Sequence, residues 1–273
     1  MLANYESINQ LIDRLNSLNI FEGNVSAKKL KLGMNNETYL LSDNNNKYVA
    51  KIGSALVDFQ RTRLHEIEAT KAGNIANIAP KVIYYEKEIA VFEYIKSSTL
   101  TASEIKQKNT LKKIVSLIKT VHKEVTKYFT QPPLISWYFC SITESIKILK
   151  NKNTIYVDRL DQLFEESKIL EEATGYHEIV FTHNDMVGAN ILNDGKKLWL
   201  IDWEFSGYNF AILDLANLSK NNQFDEEEDD FILEEYFSNL ISLSLRYNFE
   251  AMKSAALLRE TMWSMLAEIK SKK

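Results

Sequence analysis

The 273-residue chain has few of the features that mark secreted or membrane-bound proteins. Cys140 is its one cysteine, which excludes an internal disulfide and is typical of proteins in a reducing cytoplasm. No apolar run approaches the roughly 20 residues that span a bilayer. Residues 1–12 lack the basic and apolar segments of a signal peptide. We therefore expect a cytoplasmic protein without membrane contact.

The chain also has no excess of positive charge. The chain has 33 Lys and Arg against 37 Asp and Glu, a net charge of −4, so we expect no nucleic-acid partner. Hydrophobic residues make up 45% and charged residues 26%, the balance of an ordinary globular protein. With only 3 prolines and 8 glycines there is no linker rich in these residues, so two lobes would lie in contact.

Hydrophobic spacing predicts a small first lobe built on strands. The segment from Ile8 to Leu18 has helical spacing and precedes Gly23. Further elements are predicted as strands at 28–32, 37–42, 47–52, 81–85 and 89–94, and as a helix at 61–72. Asparagine-rich turns at 33–36 and 43–46 indicate that the first three strands form hairpins.

Beyond residue 97 the pattern becomes mainly helical. Helical spacing is found at 111–121, 142–149 and 160–170, and from 231 to 269. Two short apolar strands between 179 and 202 flank a polar loop. A short hinge near 93–96 separates the strand-rich part of the chain from the mainly helical part. We therefore predict an α+β chain divided into residues 1–95 and 96–273.

The polar loop and the strand after it carry residues suited to phosphoryl transfer. That chemistry needs a carboxylate to orient or deprotonate the attacking hydroxyl, and oxygen ligands for Mg²⁺. Asp185 suits the first role, whereas Asn190 and Asp202 suit the second. His183 is expected to brace the loop by hydrogen bonding.

These residues also resemble a known catalytic loop. His183-Asn184-Asp185 with Asn190 is similar to the loop shared by aminoglycoside phosphotransferases and choline kinases, distant relatives of protein kinases. The run from Asp202 to Asn209 and the Asp-Leu-Ala-Asn at 214–217 resemble the choline/ethanolamine kinase branch, especially bacterial choline kinases. The resemblance implies a two-lobed, protein-kinase-like fold, with a small antiparallel-sheet N-terminal lobe and a larger helical C-terminal lobe.

The implied activity is phosphorylation of the hydroxyl of choline to phosphocholine, with ATP and Mg²⁺. Ethanolamine, thiamine or an aminoglycoside are alternative acceptors for the same chemistry. A pseudokinase that binds nucleotide without turnover is an alternative of another class. The presence of Asp185, Asn190, Asp202 and Lys51 argues against it, since loss of one such residue is its usual mark.

The resemblance also assigns nucleotide contacts in the first lobe. Gly33, Asn35 and Asn36 lie where the family has a phosphate-binding loop, although the segment could equally be a simple hairpin turn. Glu93 and Ile95, in the hinge, would offer backbone groups to adenine.

Lys51, at the end of an apolar strand, resembles the lysine that contacts the α- and β-phosphates. A lysine in such a strand is costly to bury unless it is paired. Arg63 and Glu66 fit the family's Arg-x-x-Glu, so Glu66 is the expected partner, with Glu68 as the competitor.

For the acceptor, a quaternary ammonium calls for aromatic faces and a nearby carboxylate. Glu204, Tyr208 and Trp263 are the main candidates, and Tyr236 and Phe237 are further ones. Trp137 and Tyr138 are candidates that no motif supports. For each aromatic taken singly, a role in the core is the more common one.

Two other polar features have simpler interpretations. The acidic run 225–230 is expected to form the solvated first turn of a helix that begins near Phe231, not a metal site. His122 and His177 lack partners at zinc-ligand spacing.

Overall fold

The computed structural model describes residues 8–32, 36–53, 63–152 and 154–271, which form two lobes. The N-terminal lobe contains α1 (Ile8–Asn16), β1 (Ser26–Leu32), β2 (Glu37–Ser42), β3 (Lys47–Ile52), α2 (Arg63–Ile75), β4 (Val82–Tyr85) and β5 (Ile89–Glu93). The C-terminal lobe contains β6 (Ser98–Thr99), α3 (Ala102–Ile105), α4 (Lys108–Lys123), α5 (Tyr138–Asn151), α6 (Val157–Thr174), β7 (Ile179–Thr182), β8 (Ile191–Asn193), β9 (Leu198–Leu200), β10 (Gly207–Phe210), α7 (Ile212–Asn222), α8 (Glu226–Phe237) and α9 (Leu243–Ser271).

The N-terminal lobe is a five-stranded antiparallel sheet in the order β1-β2-β3-β5-β4. Side chains alternate between its faces, as the strand period requires. One face, including Ala50 and Val91, packs with Leu11 and Leu15 of α1. The other face packs Ala90 and Phe92 against Ile67 of α2. This architecture confirms the five predicted strands and their hairpins.

The C-terminal lobe has one large core formed mainly by its helices. Helix α7 was not predicted, because all residues from Ile212 to Ser219 are buried and a helix buried on every side has no amphipathic period. Between residues 179 and 202 the structure has three strands where two were predicted: β7 pairs with β10, and β8 lies between β6 and β9.

The prediction of continuous helix from 231 to 269 was wrong in two respects. Helix α8 ends at Phe237, because Ser238 adopts a left-handed conformation with φ 58°, and α9 begins only at Leu243. Helix α8 also begins five residues early, at Glu226. Asp225 caps it by accepting a hydrogen bond from the Glu228 N–H at 2.9 Å.

The acidic run therefore lies at a helix start, as predicted, where carboxylates are favourable. It is not wholly solvated, since Asp229 is buried and pairs with Lys253 at 2.5 Å. Over the ranges described above, no helix is long and apolar enough to cross a bilayer.

Candidate active site

Two cavities lie where the lobes meet, and they share Thr38, Lys51 and Asp202. The first, which we call the nucleotide-side cavity, has a volume of about 440 Å³. The second, which we call the acceptor-side cavity, has a volume of about 360 Å³. Asn190 lines the nucleotide-side cavity, and Asp185 lines the acceptor-side cavity.

Lys51 is placed at this junction by the alternation of β3. Its neighbours Ala50 and Ile52 point into the α1 face of the sheet, so Lys51 points toward α2. The Lys51 Nζ lies 2.5 Å from Glu66 Oε1 and 2.7 Å from Asp202 Oδ1. Burial alone would lower the pKa of Lys51, but the charges of Asp202 and Glu66 outweigh it and raise that pKa. Lys51 therefore stays cationic.

The structure distinguishes the two glutamates that the sequence left as partners for Lys51. Glu66 faces the sheet, one residue before the core residue Ile67. Glu68 lies on the far side of α2, where it accepts hydrogen bonds from Lys71 at 2.9 Å and Thr130 at 2.6 Å. Two positions along a helix turn a side chain by about 200°, which explains the separation.

Arg63 extends this network toward the predicted phosphate loop. Its guanidinium donates to Glu66 Oε2 at 2.5 Å and to Asn36 Oδ1 at 2.6 Å. Asn36 in turn donates to Glu204 Oε2 at 3.3 Å. Gly33 and Asn35, the other residues predicted for this loop, lie outside the described residues.

Asp185 and Asn190 lie in one loop between β7 and β8. The Asn190 side chain donates to Asp185 Oδ2 at 2.9 Å and to the Asp185 carbonyl at 3.1 Å, which fixes the carboxylate. Burial raises the pKa of Asp185, although the positive charge available at His183 opposes the shift. His183 Nε2 lies 3.1 Å from the Ile201 carbonyl, so it links this loop to the residue that follows β9.

Asp214 anchors the loop that carries Asp185, although the sequence analysis assigned Asp214 no role. Its buried carboxylate accepts from the backbone N–H groups of His183 and Asn184, both at 2.8 Å. It also contacts His122 Nε2 at 3.1 Å. Burial would raise the pKa of Asp214, but the hydrogen bonds and charge of His122 lower it overall. The sequence does contain an indication of its importance, because Asp214 begins the Asp-Leu-Ala-Asn segment that resembles the choline/ethanolamine kinase branch.

These bonds support a strained backbone, because Asn184 has φ 65°. Its side chain is also held, since Nδ2 donates to the Phe205 carbonyl at 2.9 Å. The loop that carries Asp185 is therefore fixed to the segment that follows Asp202.

Asp202 and Glu204 lie close to each other and have opposite pKa shifts. Burial would raise the pKa of Asp202, but the charge of Lys51 lowers it overall. Burial and the negative charge of Asp202 raise the pKa of Glu204 to about 8. Asp202 is therefore ionised at neutral pH, and Glu204 can carry a proton.

The donor atoms at this junction fit Mg²⁺. Within the described part of the chain, the Asn190 Oδ1 and the Asp202 Oδ2 accept no hydrogen bond, because each side chain makes its contacts through its other polar atom. One amide oxygen and one carboxylate oxygen suit a small, hard cation that retains several waters. No group of three or more His, Cys, Asp or Glu that could bind a metal is found among the described residues.

The acceptor-side cavity combines aromatic rings with charges of both signs. Its aromatic lining residues are Tyr138, Phe205 and Trp263, and its charged lining residues are Lys51, Asp185, Asp202, Glu204, Lys220, Arg259 and Glu260. Trp263 packs edge-on against Phe205, with 5.7 Å between ring centroids. Three acceptor candidates, Tyr138, Glu204 and Trp263, thus line the same cavity.

The other candidate aromatics lie elsewhere. Tyr208 is not among the lining residues; it sits in β10, where its ring packs against Phe181 of β7 at 6.2 Å. Tyr236 contacts His122 Nδ1 through its hydroxyl at 2.7 Å, and Phe237 packs against Tyr236 at 4.8 Å. Both support the core around Asp214 and do not line this cavity.

The nucleotide-side cavity is more apolar, as a flat heterocycle requires. Glu93 and Ile95, predicted to contact adenine, both line it, in the hinge between the lobes. Leu30 and Val49 line this cavity on the side of the N-terminal lobe, and Ile201 lines it on the side of the C-terminal lobe.

A lysine paired with a carboxylate on a helix, facing a loop with an aspartate and an asparagine, defines a kinase-like phosphotransferase. The choline/ethanolamine kinase family model matches residues 20–242, and the chain belongs to this family.

Individual relatives agree with this assignment. Protein LicA from Haemophilus influenzae is 26% identical over 211 residues, which are 75% of this chain and 60% of LicA. A probable ethanolamine kinase from Arabidopsis thaliana is 25% identical over 224 residues, which are 78% of this chain and 58% of that protein. The chain thus spans less than two thirds of these two curated relatives.

Solved structures show the same fold. The choline kinase LicA from Streptococcus pneumoniae has a TM-score of 0.75 and 21% identity, over 97% of this chain and 92% of that one. A Plasmodium vivax ethanolamine kinase has a TM-score of 0.78 and 16% identity, over 97% and 85%. The predicted α+β, two-lobed kinase-like fold is confirmed.

Proposed function

We propose that the chain transfers the γ-phosphate of ATP to the hydroxyl of choline, which yields phosphocholine and ADP. The observation that carries the proposal is the junction of the two cavities at Lys51 and Asp202. Asp185 lines the acceptor side of that junction, and Asn190 lines the nucleotide side. An acceptor hydroxyl held by Asp185 would therefore face a phosphate held by Lys51.

In this proposal residues 1–95 bind the nucleotide, and residues 96–273 supply the catalytic and acceptor-binding groups. Adenine lies against the hinge at Glu93 and Ile95. Lys51, positioned by Glu66, neutralises phosphate charge. A LicA structure solved in complex with AMP has the same fold, with a TM-score of 0.76, which supports a nucleotide in this cleft.

Asp185 orients the hydroxyl and accepts its proton as the oxygen attacks phosphorus in line. Asn190 keeps the Asp185 carboxylate in one orientation, and His183 holds the loop. Asn190 and Asp202 would hold Mg²⁺, which supplies charge neutralisation to the phosphates when it is bound.

The acceptor assignment rests on the size and lining of the acceptor-side cavity. A volume of about 360 Å³ suits a small amino alcohol. Lys220 and Arg259 also line it, so it is not the broadly acidic cleft that a polycationic aminoglycoside would require. Ethanolamine is the second candidate, because a carboxyl oxygen of Glu204 can accept a hydrogen bond from a primary ammonium and curated relatives include a probable ethanolamine kinase.

The test is ADP release with ATP and Mg²⁺ against choline, ethanolamine, thiamine and kanamycin, beside an Asp185→Ala variant. We expect choline-dependent turnover that falls by about a hundredfold or more in the variant. Turnover with another acceptor alone would refute choline. ATP binding without any turnover would favour the pseudokinase alternative.

A further inference from the structure

Arg259, on the long helix α9, places its own positive charge in the acceptor-side cavity. It lies one helical turn before Trp263. The guanidinium carbon of Arg259 is 4.7 Å from the ring centroid of Phe205 and 5.2 Å from that of Tyr138. A cation within about 6 Å of a ring face is attracted by the ring quadrupole. The Arg259 guanidinium therefore lies over two of the three aromatic rings that line this cavity.

The other two cations of the cavity are neutralised by carboxylates. Lys51 pairs with Glu66 and Asp202, and Lys220 pairs with Glu260. Across the described residues, by contrast, no carboxylate oxygen lies within 4.0 Å of the Arg259 guanidinium. The guanidinium of Arg259 thus has no salt bridge there; it lies over the two rings and hydrogen-bonds the Tyr138 side chain, and its charge also acts on Asp185.

This arrangement reduces the aromatic surface that is available to a quaternary ammonium such as that of choline. Such a group has no N–H to donate, so its best receptor is an aromatic face. If a quaternary ammonium enters while Arg259 stays in place, two positive charges share one small cavity. If Arg259 moves out instead, its contacts with the two aromatic rings are lost. A primary ammonium is less affected, because its N–H groups can donate hydrogen bonds to a carboxyl oxygen such as that of Glu204, which accepts them even when the group is protonated.

We infer that Arg259 is a specificity-determining residue that lies over the rings of the aromatic cation site, so that choline, the proposed acceptor, binds more weakly than it would to unoccupied rings, whereas ethanolamine binding is little changed. The kinetic consequence rests on the proposed function, whereas the binding consequence does not. Choline would need to displace Arg259, and ethanolamine would not.

The first experiment measures binding of tetramethylammonium by calorimetry, without nucleotide, so that turnover is not required. Arg259→Met keeps an unbranched, flexible side chain but removes the charged guanidinium, and it should bind tetramethylammonium about tenfold more tightly than the wild type. Arg259→Lys retains a cation and should stay within about threefold of the wild type. The matched control is Arg246→Gln, which removes one positive charge from the same helix outside the cavity, where Arg246 pairs with Asp230.

The second experiment compares KM values in the ADP-release assay. Arg259→Met should lower the KM for choline several-fold and leave the KM for ethanolamine within about twofold, so the ratio of the two changes. Arg259→Gln provides a second neutral variant if the methionine variant melts at a much lower temperature.

Equal binding of tetramethylammonium by wild type and both neutral variants would overturn the inference. So would an equal gain in Arg246→Gln, because the effect would then reflect net charge alone. If the wild type turned over neither amino alcohol while Arg259→Met still bound tetramethylammonium more tightly, the proposed function would fail and the role of Arg259 would stand.

Discussion

Replacement of Asp214 by asparagine should both destabilise the protein and disable the loop that carries Asp185. The Asp214 carboxylate accepts hydrogen bonds from two backbone N–H groups, one on each oxygen, and also contacts His122. Asparagine has one acceptor oxygen only, so in either orientation its NH₂ faces the N–H of His183 or Asn184. Loss of one partner in a buried charged network costs about 3–5 kcal/mol in the free energy of unfolding.

The two effects can be measured separately. Urea unfolding reports the loss of stability. The ADP-release assay at a temperature where the variant is folded should show kcat reduced about a hundredfold, because Asn184 would relax from φ 65° and move Asp185. The matched control is Asp229→Asn, another buried carboxylate, which pairs with Ser219 and Lys253 away from both cavities. It should lose stability without a comparable loss of kcat.

The pH dependence gives a further check on Asp214. Its pKa is lower in the folded protein than in the unfolded chain, so its stabilising effect is complete above the unfolded value, near about 4. The stability difference between wild type and Asp214→Asn should therefore be constant from about pH 8 to 5 and should shrink in more acidic solution. Equal stability of both proteins at neutral pH, with full activity of the variant, would refute this reasoning.

Three other predictions address the site and its support. Glu66→Gln should reduce kcat/KM for ATP at least about tenfold, because Lys51 loses a buried partner, and Glu68→Gln should have little effect; similar kinetics in both variants would contradict the pairing. Burial raises the pKa of Asp185, so the acidic limb of the kcat/KM profile should have its midpoint above about 4, with activity rising as the base loses its proton; a lower midpoint would exclude Asp185 as that base. Gly73→Ala would put a Cβ 2.9 Å from the Trp203 ring and should cost about 1–3 kcal/mol in urea unfolding, whereas Ile75→Ala, at an exposed position of the same helix, should stay within about 0.5 kcal/mol; equal effects would argue against this close packing.

The sequence by itself was sufficient for those features that depend on local pattern. The sheet of the N-terminal lobe follows from strands that alternate apolar and polar residues between asparagine-rich turns. Lys51 was identifiable because a charge in an apolar strand requires a partner. The loop from His183 to Asn190 was identifiable because its residue types and spacing lie within one short segment.

Other features were decided only by tertiary structure. The choice between Glu66 and Glu68 depends on how α2 is rotated against the sheet. Helix α7 was hidden because complete burial removes the periodicity by which a surface helix is found.

The contacts that complete the site join residues far apart in the chain. His122 and Asp214 are separated by 92 positions, and Arg259 reaches the Phe205 ring from the last helix. Tyr208 faces the core where an acceptor role was expected, because its strand pairs with β7. Local spacing does not encode such positions, since they depend on how whole helices and strands pack against one another.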